Sequence, residues 1–307
     1  MKIDVVLTEA EIVQELAEAV EARDLPEKFF YWGPLPVRAW LARAADPACA
    51  GLRRAWQQLA AKAAWLLEPF GPPIHAISFG AGDGATDRLL LDAIRQSGRE
   101  LKYYPVDASQ ALLEMACAGA EDLDIETAGI KADISSPMHL VFASDAAESP
   151  KLLMMSGNTL GGFDPLDHIK HIAQCLHGAD RLVLDAEIYQ GDASAPPGDL
   201  MRQFAFAPLA ALGVSPDDGE VRFETKRDKS IGGLHVTAAH FRPDRDLRIS
   251  TPDREVLVER GEHINLNFSY RFTAEALHAL LTERGGLRIL DQIPSPDGRY
   301  LLLVCSR

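Results

Sequence analysis

Three alternating glycines, Gly80, Gly82 and Gly84, followed by an aspartate at residue 107, are the residues best suited to hold a ligand. They lie in the stretch AISFGAGDGATDRLLLDAIRQSGRELKYYPVDAS, residues 76–109. A glycine turn lets the backbone double back and come close to a bound group, because no Cβ blocks the approach. Residues 76–79 form a short apolar run before the turn, and Leu89, Leu90, Ala93 and Ile94 recur at helical spacing after it. The turn therefore joins a strand to a helix whose first N–H groups are free. A second apolar run, 101–106, ends at Asp107, where a carboxylate can accept hydrogen bonds from two vicinal ribose hydroxyls. This is a nucleoside site in outline.

Such a site needs a parallel sheet to position it. Apolar runs at 74–79, 101–106, 127–132, 151–156 and 181–186 alternate with helical periodicity near 86–97, 109–119, 137–145 and 165–176, which predicts an α/β fold. Ligands of such sheets bind outside the C-terminal strand ends. Gly80, Asp107, Asp133, Ser156 to Asn158 and Asp185 to Tyr189 all fall at that edge. Ahead of the sheet, Thr8 and Glu11 form a capping box for a helix ending near Ala22, and the aromatic run Phe29 to Trp32 adjoins a Gly33-Pro34 turn. Helices are expected over 36–45 and 51–67. After Tyr189 the pattern breaks into a loop at 191–199, a helix from 200 that Pro208 ends, and strands at 220–226, 234–241 and 255–259. A helix over 273–284 and strands at 287–292 and 299–306, joined by the hairpin turn Ser295-Pro296-Asp297-Gly298, close the chain.

Composition narrows the class. With 307 residues, 47% of them hydrophobic, the chain can bury a sizeable core. A net charge of −14 argues against a protein that holds the nucleic-acid backbone. Cys49, Cys117, Cys175 and Cys305 are scattered with no CxxC pair, predicting free thiols in a reducing compartment. His168, His171 and His177 lack a third ligand at a suitable spacing, so no metal is expected. No run reaches the roughly 18 apolar residues of a membrane span, and the acidic N-terminus is unlike a signal peptide. A cytoplasmic protein without membrane or nucleic-acid partners is predicted.

GAGDGA fits the GxGxxA dinucleotide fingerprint and also the GxGxG turn of S-adenosylmethionine-dependent methyltransferases. Asp107 lies 27 residues beyond Gly80, whereas the dinucleotide fingerprint expects about 20. The final helix, strand, turn and strand also resemble the antiparallel C-terminal hairpin of the Rossmann-like class I methyltransferase fold. S-adenosyl-L-methionine is the expected cofactor, and an NAD-dependent oxidoreductase is the alternative.

GAGDGATDRLLLDAI, YYPVDASQALLEMA, LLMMSGNTLGGFDPLDHIKHIAQCL, RLVLDAEIY and NFSYRFTAEALHALL follow one another in the order of the histidine-specific N-methyltransferase family. That is the family of the enzyme that trimethylates the histidine α-amine in ergothioneine biosynthesis, and the similarity runs from about Lys28 to the end. The resemblance implies a methyltransferase domain of residues 70–190 and 270–307. It also implies a smaller α+β substrate-binding domain of residues 1–69 and 191–269. On the cofactor side, Gly80, Gly82 and Gly84 would frame the methionine portion, Asp107 the ribose, and Asp133 with Ile134 the adenine, with Ser109 and Ser156 also among the cofactor-binding residues. Thr86 stands where the family has a lysine, leaving Arg88 or backbone amides for the cofactor carboxylate. On the substrate side it implies Tyr31, Asn158, Phe163, Asn267 and Ser269. Tyr31, Tyr189 and Glu187 are the candidates to orient the amine and move its proton, and Asp185 or Glu187 to attract a cationic substrate.

Gly162 replaces a family asparagine and Asn267 a family glutamate, so the pocket is expected to accept something other than histidine. The resulting expectation is a methyltransferase of secondary metabolism, monomeric or homodimeric, acting on nitrogen of an amino acid or small amine. An inactive cofactor-binding homologue is the third possibility.

Overall fold

The computed structural model describes residues 1–191, 198–229 and 231–307. Its strands in chain order are β1 (Lys2–Val5), β2 (Ile74–Phe79), β3 (Leu101–Asp107), β4 (Glu126–Lys131), β5 (Leu152–Met155), β6 (Arg181–Glu187), β7 (Gly219–Arg227), β8 (Leu234–Pro243), β9 (Leu247–Ser250), β10 (Glu255–Val258), β11 (Ile264–Phe272), β12 (Arg288–Pro294) and β13 (Tyr300–Ser306). Eight of them form one sheet in the order β1-β4-β3-β2-β5-β6-β13-β12. β1 to β6 pair in parallel, while β13 lies antiparallel between β6 and β12. Every residue of β5 and of β13 is buried, as a strand covered on both faces requires.

The helices are α1 (Glu9–Ala22), α2 (Pro34–Ala44), α3 (Ala50–Ala60), α4 (Ala63–Leu66), α5 (Asp87–Gln96), α6 (Gln110–Glu121), α7 (Pro137–Ser144), α8 (Pro165–Gln174), α9 (Asp199–Ala211) and α10 (Ala274–Ala279). From β2 the chain runs one way to β3 and β4, then crosses to β5 and β6 on the other side. The strand order therefore reverses between β2 and β5, opening a crevice at their C-terminal ends. The glycine turn leaves one of these strands and the residues after Met155 leave the other.

A second lobe covers that edge. The three-stranded sheet β11-β8-β7, the β9-β10 pair, α1 and α9 share a core that includes Ile12, Leu16, Phe29, Phe30, Phe204, Phe241 and Val258. The lobe does not take all of residues 1–69, as the expected boundary had it. β1 pairs with β4, and α3 and α4 pack Trp56, Leu59 and Leu66 against Ile74, Leu152 and Leu302 of the main sheet. The amphipathic face of α3 has its apolar partner there rather than in the second lobe.

Other local differences have physical causes. The helix expected over 51–67 breaks after Ala60 into α3 and α4. Pro208 does not end α9, because Phe204, Ala205 and Leu209 are buried around it and hold the helix through the missing N–H. β1, β9 and β11 went unpredicted: the first two are only four residues long, and β11 carries a register shift between Asn265 and Phe268 that breaks its alternation. The loop expected at 191–199 falls largely outside the described residues. Among those described, no helix is long and apolar enough to cross a membrane.

Candidate active site

The glycine turn and Asp107 form one unit. Gly80, Gly82 and Gly84 have φ of +70, +57 and +71°. The Gly82 N–H donates to Asp107 Oδ2 at 2.8 Å and the Ser109 N–H donates to Oδ1 at 2.8 Å. A carboxylate offers about four acceptor positions, so each oxygen keeps one for a ribose hydroxyl. Burial pushes Asp107 up to about 6, with backbone N–H groups of Ser109, Gly82 and Ala108 opposing the rise. Ser109 also caps α6, its hydroxyl accepting from the Leu112 N–H. Below the turn, Asp87 accepts from the Tyr103 hydroxyl at 2.6 Å and from Ser156 Oγ at 3.0 Å, which turns the Ser156 hydroxyl inward.

Gly82 is a glycine for two reasons. Its φ is left-handed, and a Cβ there would stand 2.7 Å from Cη2 of Trp40 on α2. The Gly82→Ala variant is expected to lose roughly 1–2 kcal/mol through backbone strain alone and to displace the indole. A lower melting temperature together with weaker S-adenosylhomocysteine binding would report both effects; an unchanged melting temperature would refute the close contact.

Across the crevice, the turn after β5 is held from below. Asp185 accepts from the Gly157 N–H at 2.9 Å, the Asn158 N–H at 2.7 Å and Trp56 Nε1 at 2.8 Å. It is fully buried, and burial raises it to about 6. This corrects its expected part in attracting a cation: its oxygens face protein donors. Asn158 has φ +59°, accepts from the Glu187 N–H at 2.8 Å and donates through Nδ2 to Ser269 Oγ at 3.4 Å. The following turn, Thr159–Gly162, reaches back over the glycines, since a Cβ on Gly80 would meet Thr159 Cγ2 at 2.9 Å and Ile134 Cδ1 at 3.2 Å.

A strap from the second lobe closes the crevice. Lys28 Nζ pairs with Asp133 Oδ2 at 2.7 Å and also with Glu15 of α1. Asp133 Oδ1 accepts from the Ser135 N–H at 2.8 Å, and its carboxyl is held below the usual range by Lys28 and Ser135 against the opposing effect of burial. Tyr31 Oη donates to Glu27 Oε1 at 2.8 Å, and its ring packs against Trp40 and Phe204. Burial pushes Glu27 up to about 7, against the Tyr31 bond and Arg43. One short segment thus spans Asp133, the turn after β5 and, through Trp40, the glycine turn.

The remaining expected residues scatter more. Glu187 is buried and sits between two guanidiniums, Arg299 Nε at 3.0 Å and Arg271 Nε at 3.3 Å. Tyr189 stacks on His235 with ring centroids 3.5 Å apart. Phe163 stacks on His168 at 4.4 Å, and burial lowers that histidine to about 4. Asn267 falls within the irregular register of β11. Arg88 lies against Gly119 of α6, in a groove on the α5–α6 side of the turn that Asp83, Asp92 and Met115 also line. Backbone amides of the turn are left as the partners available to a cofactor carboxylate. Sequence reasoning missed Glu27, Lys28 and Trp40. Glu27 precedes Tyr31 by four residues, but nothing in its sequence context signals that the carboxyl is enclosed.

The strand order with one reversed strand, and the glycine turn hooked to an acid at the next strand end, define a Rossmann-like class I methyltransferase. A model of the histidine-specific, S-adenosylmethionine-dependent methyltransferase family matches residues 9–189, more than half of the chain, and the chain belongs to that family. Its cofactor is therefore S-adenosylmethionine, and the nicotinamide alternative falls. The buried acid with free acceptor positions and the turn that excludes Cβ atoms fit that group. Solved structures of similar shape include an S-adenosylmethionine-dependent methyltransferase from Clostridium acetobutylicum, with 12% identity, TM-score 0.46, and coverage of 88% of this chain and 96% of that one. Another is an amino pentose methyltransferase from Micromonospora echinaspora, with 13% identity, TM-score 0.40 and coverage of 90% and 97%. No curated protein matches the sequence.

Proposed function

We propose that the protein transfers methyl to a nitrogen of an amino acid or related small amine. The observation that carries this reading is the polar wall opposite the glycine turn: Tyr31 from the strap, Asn158 from the turn after β5 and Ser269 from β11, with Asn158 bonded to Ser269. The Tyr31 hydroxyl, its ring packed against Trp40 and Phe204, and the Asn158 amide and Ser269 hydroxyl suit a small polar acceptor that must be oriented and kept from water.

Asp107, Ser109, Asp133, Ile134 and the backbone of the glycine turn are the groups that would hold the cofactor. When bound, S-adenosylmethionine would supply an electrophilic methyl carbon on a sulfonium, with the neutral thioether as the leaving group that takes the C–S electron pair. The chain's own part is alignment and proton handling, because only a neutral amine has the lone pair to attack. Tyr31 remains a hydroxyl donor, since burial and Glu27 keep its phenol well above its ordinary value.

The test is turnover with S-adenosylmethionine against histidine, histamine, arginine, agmatine and other amines, with products resolved by mass. N-methylated product from a member of the panel supports the reading. Tight S-adenosylhomocysteine binding with no product from any amine would favour the inactive homologue and refute it.

A further inference from the structure

We propose that Glu27 takes the proton from the acceptor amine at Oε2, and that residue 162 is glycine because the Glu27 carboxyl fills the space a side chain there would need. The proposal rests on the N-methylation reading above. Its basis is placement. Glu27 opens the helical turn Glu27–Phe30, and its Oε1 is fixed by the Tyr31 hydroxyl at 2.8 Å. A Cβ at position 162 would lie 3.5 Å from both Cδ and Oε1 of Glu27 and 3.6 Å from its Cγ. That is ordinary contact, so an alanine just fits and anything longer meets the carboxyl. Gly162 ends the turn whose first residue, Thr159, lies over Gly80. The next residue, Lys28, is pinned by Asp133 at 2.7 Å, which fixes the backbone of Glu27 at the sheet edge.

The charged surroundings suit a proton acceptor. The turn 157–162 contributes no titratable group, α9 presents Phe204, α2 contributes Arg43, and Asp107 of β3 acts on Tyr31. Burial outweighs Arg43 and the Tyr31 bond, bringing Glu27 to about 7, a basicity matched to neutral pH. In the step itself an ammonium N–H bond breaks and leaves its electron pair on nitrogen. The proton bonds to Oε2, and the carboxylate becomes a neutral acid. Glu27 is half-buried as a residue.

The test uses the full chain with Glu27→Gln and Gly162→Asn. Glutamine keeps an acceptor for the Tyr31 hydroxyl but cannot take a proton. For the amine that the wild type turns over best, E27Q is expected to lower kcat at least about 100-fold and to abolish an acid limb near pH 7. S-adenosylhomocysteine affinity should stay within about twofold, as a fold check. G162N should lower kcat at least about tenfold with the same affinity, since its amide meets the carboxyl. A second readout needs no turnover: the same amine is titrated calorimetrically into the S-adenosylhomocysteine complex at pH 7 in two buffers of different ionisation enthalpy. Wild type should release roughly half a proton and E27Q none, because the half-protonated carboxyl and the ammonium share one proton once bound. E27Q with kcat within threefold and an unchanged proton count would overturn the role of Glu27 while leaving N-methylation standing. A wild type that methylates no amine would remove both.

Discussion

Replacing Asp107 with alanine is expected to weaken S-adenosylhomocysteine binding at least about 100-fold. Two charge-assisted hydrogen bonds to ribose hydroxyls are lost, each worth roughly 1.5–3 kcal/mol. The Gly82 and Ser109 N–H groups lose their acceptor as well, so the turn loosens and the melting temperature falls. Calorimetric titration checks this, and a Kd within threefold of wild type would refute the assignment.

The wild type makes a companion prediction in pH. The Asp107 carboxyl lies at about 6 in the folded protein against an ordinary 3.8, so the folded state binds more protons than the unfolded one between these values. The stability contributed by keeping it neutral is fully present below about pH 4 and is lost as pH rises through about 6. Ribose hydroxyls act in the opposite direction, because they donate to the ionised form. Cofactor affinity should therefore rise with pH up to about 6 and level off above it. The difference between pH 5 and pH 8 is expected to be about tenfold and to vanish in the alanine variant.

The second large effect is expected at Asp185. Its replacement by alanine leaves three donors, Trp56 Nε1 and the N–H groups of Gly157 and Asn158, without their acceptor in the interior. At roughly 1–3 kcal/mol for each group left unsatisfied, and with partial relaxation, the loss of stability should be about 3–5 kcal/mol by urea denaturation. Activity should fall with it. Asn158 positions Ser269, and the same turn carries Gly162 against Glu27, so a displacement of about 1 Å is expected to cost roughly 100-fold in kcat/KM. A variant that keeps its urea midpoint would show that water or another acceptor replaces the carboxylate, and the turn would not depend on it.

The two acids show why one half of the site was legible in the sequence and the other was not. Asp107 ends an apolar run and follows a glycine turn, and the parallel-sheet rule alone carries both to one edge. Asp185 lies near the end of its strand, two residues before β6 stops, yet its partner Trp56 lies 129 residues earlier on α3. No local pattern distinguishes a strand-end acid that faces a ligand from one that props up a turn. Glu187 repeats the lesson: it reads as an available base, and β11 and the turn entering β13 bring Arg271 and Arg299 onto it. Arg88 sits one residue into α5, close to the turn in sequence, but α6 draws its side chain to Gly119.

The sequence by itself determined the parallel core, the glycine turn with Asp107, the reversed terminal hairpin and the family. Each depends on periodicity or on residues a short distance apart, where backbone geometry leaves little choice. Tertiary structure alone decided which polar groups face the crevice. Lys28 meets Asp133 across 105 residues, Trp40 covers Gly82, and Glu27 lies against Gly162 because the second lobe folds the strap 27–40 over the sheet edge. Those contacts are made where the second lobe, built on its own core of Phe29, Phe30 and Phe204, lies over the sheet edge, and a linear pattern does not encode that placement.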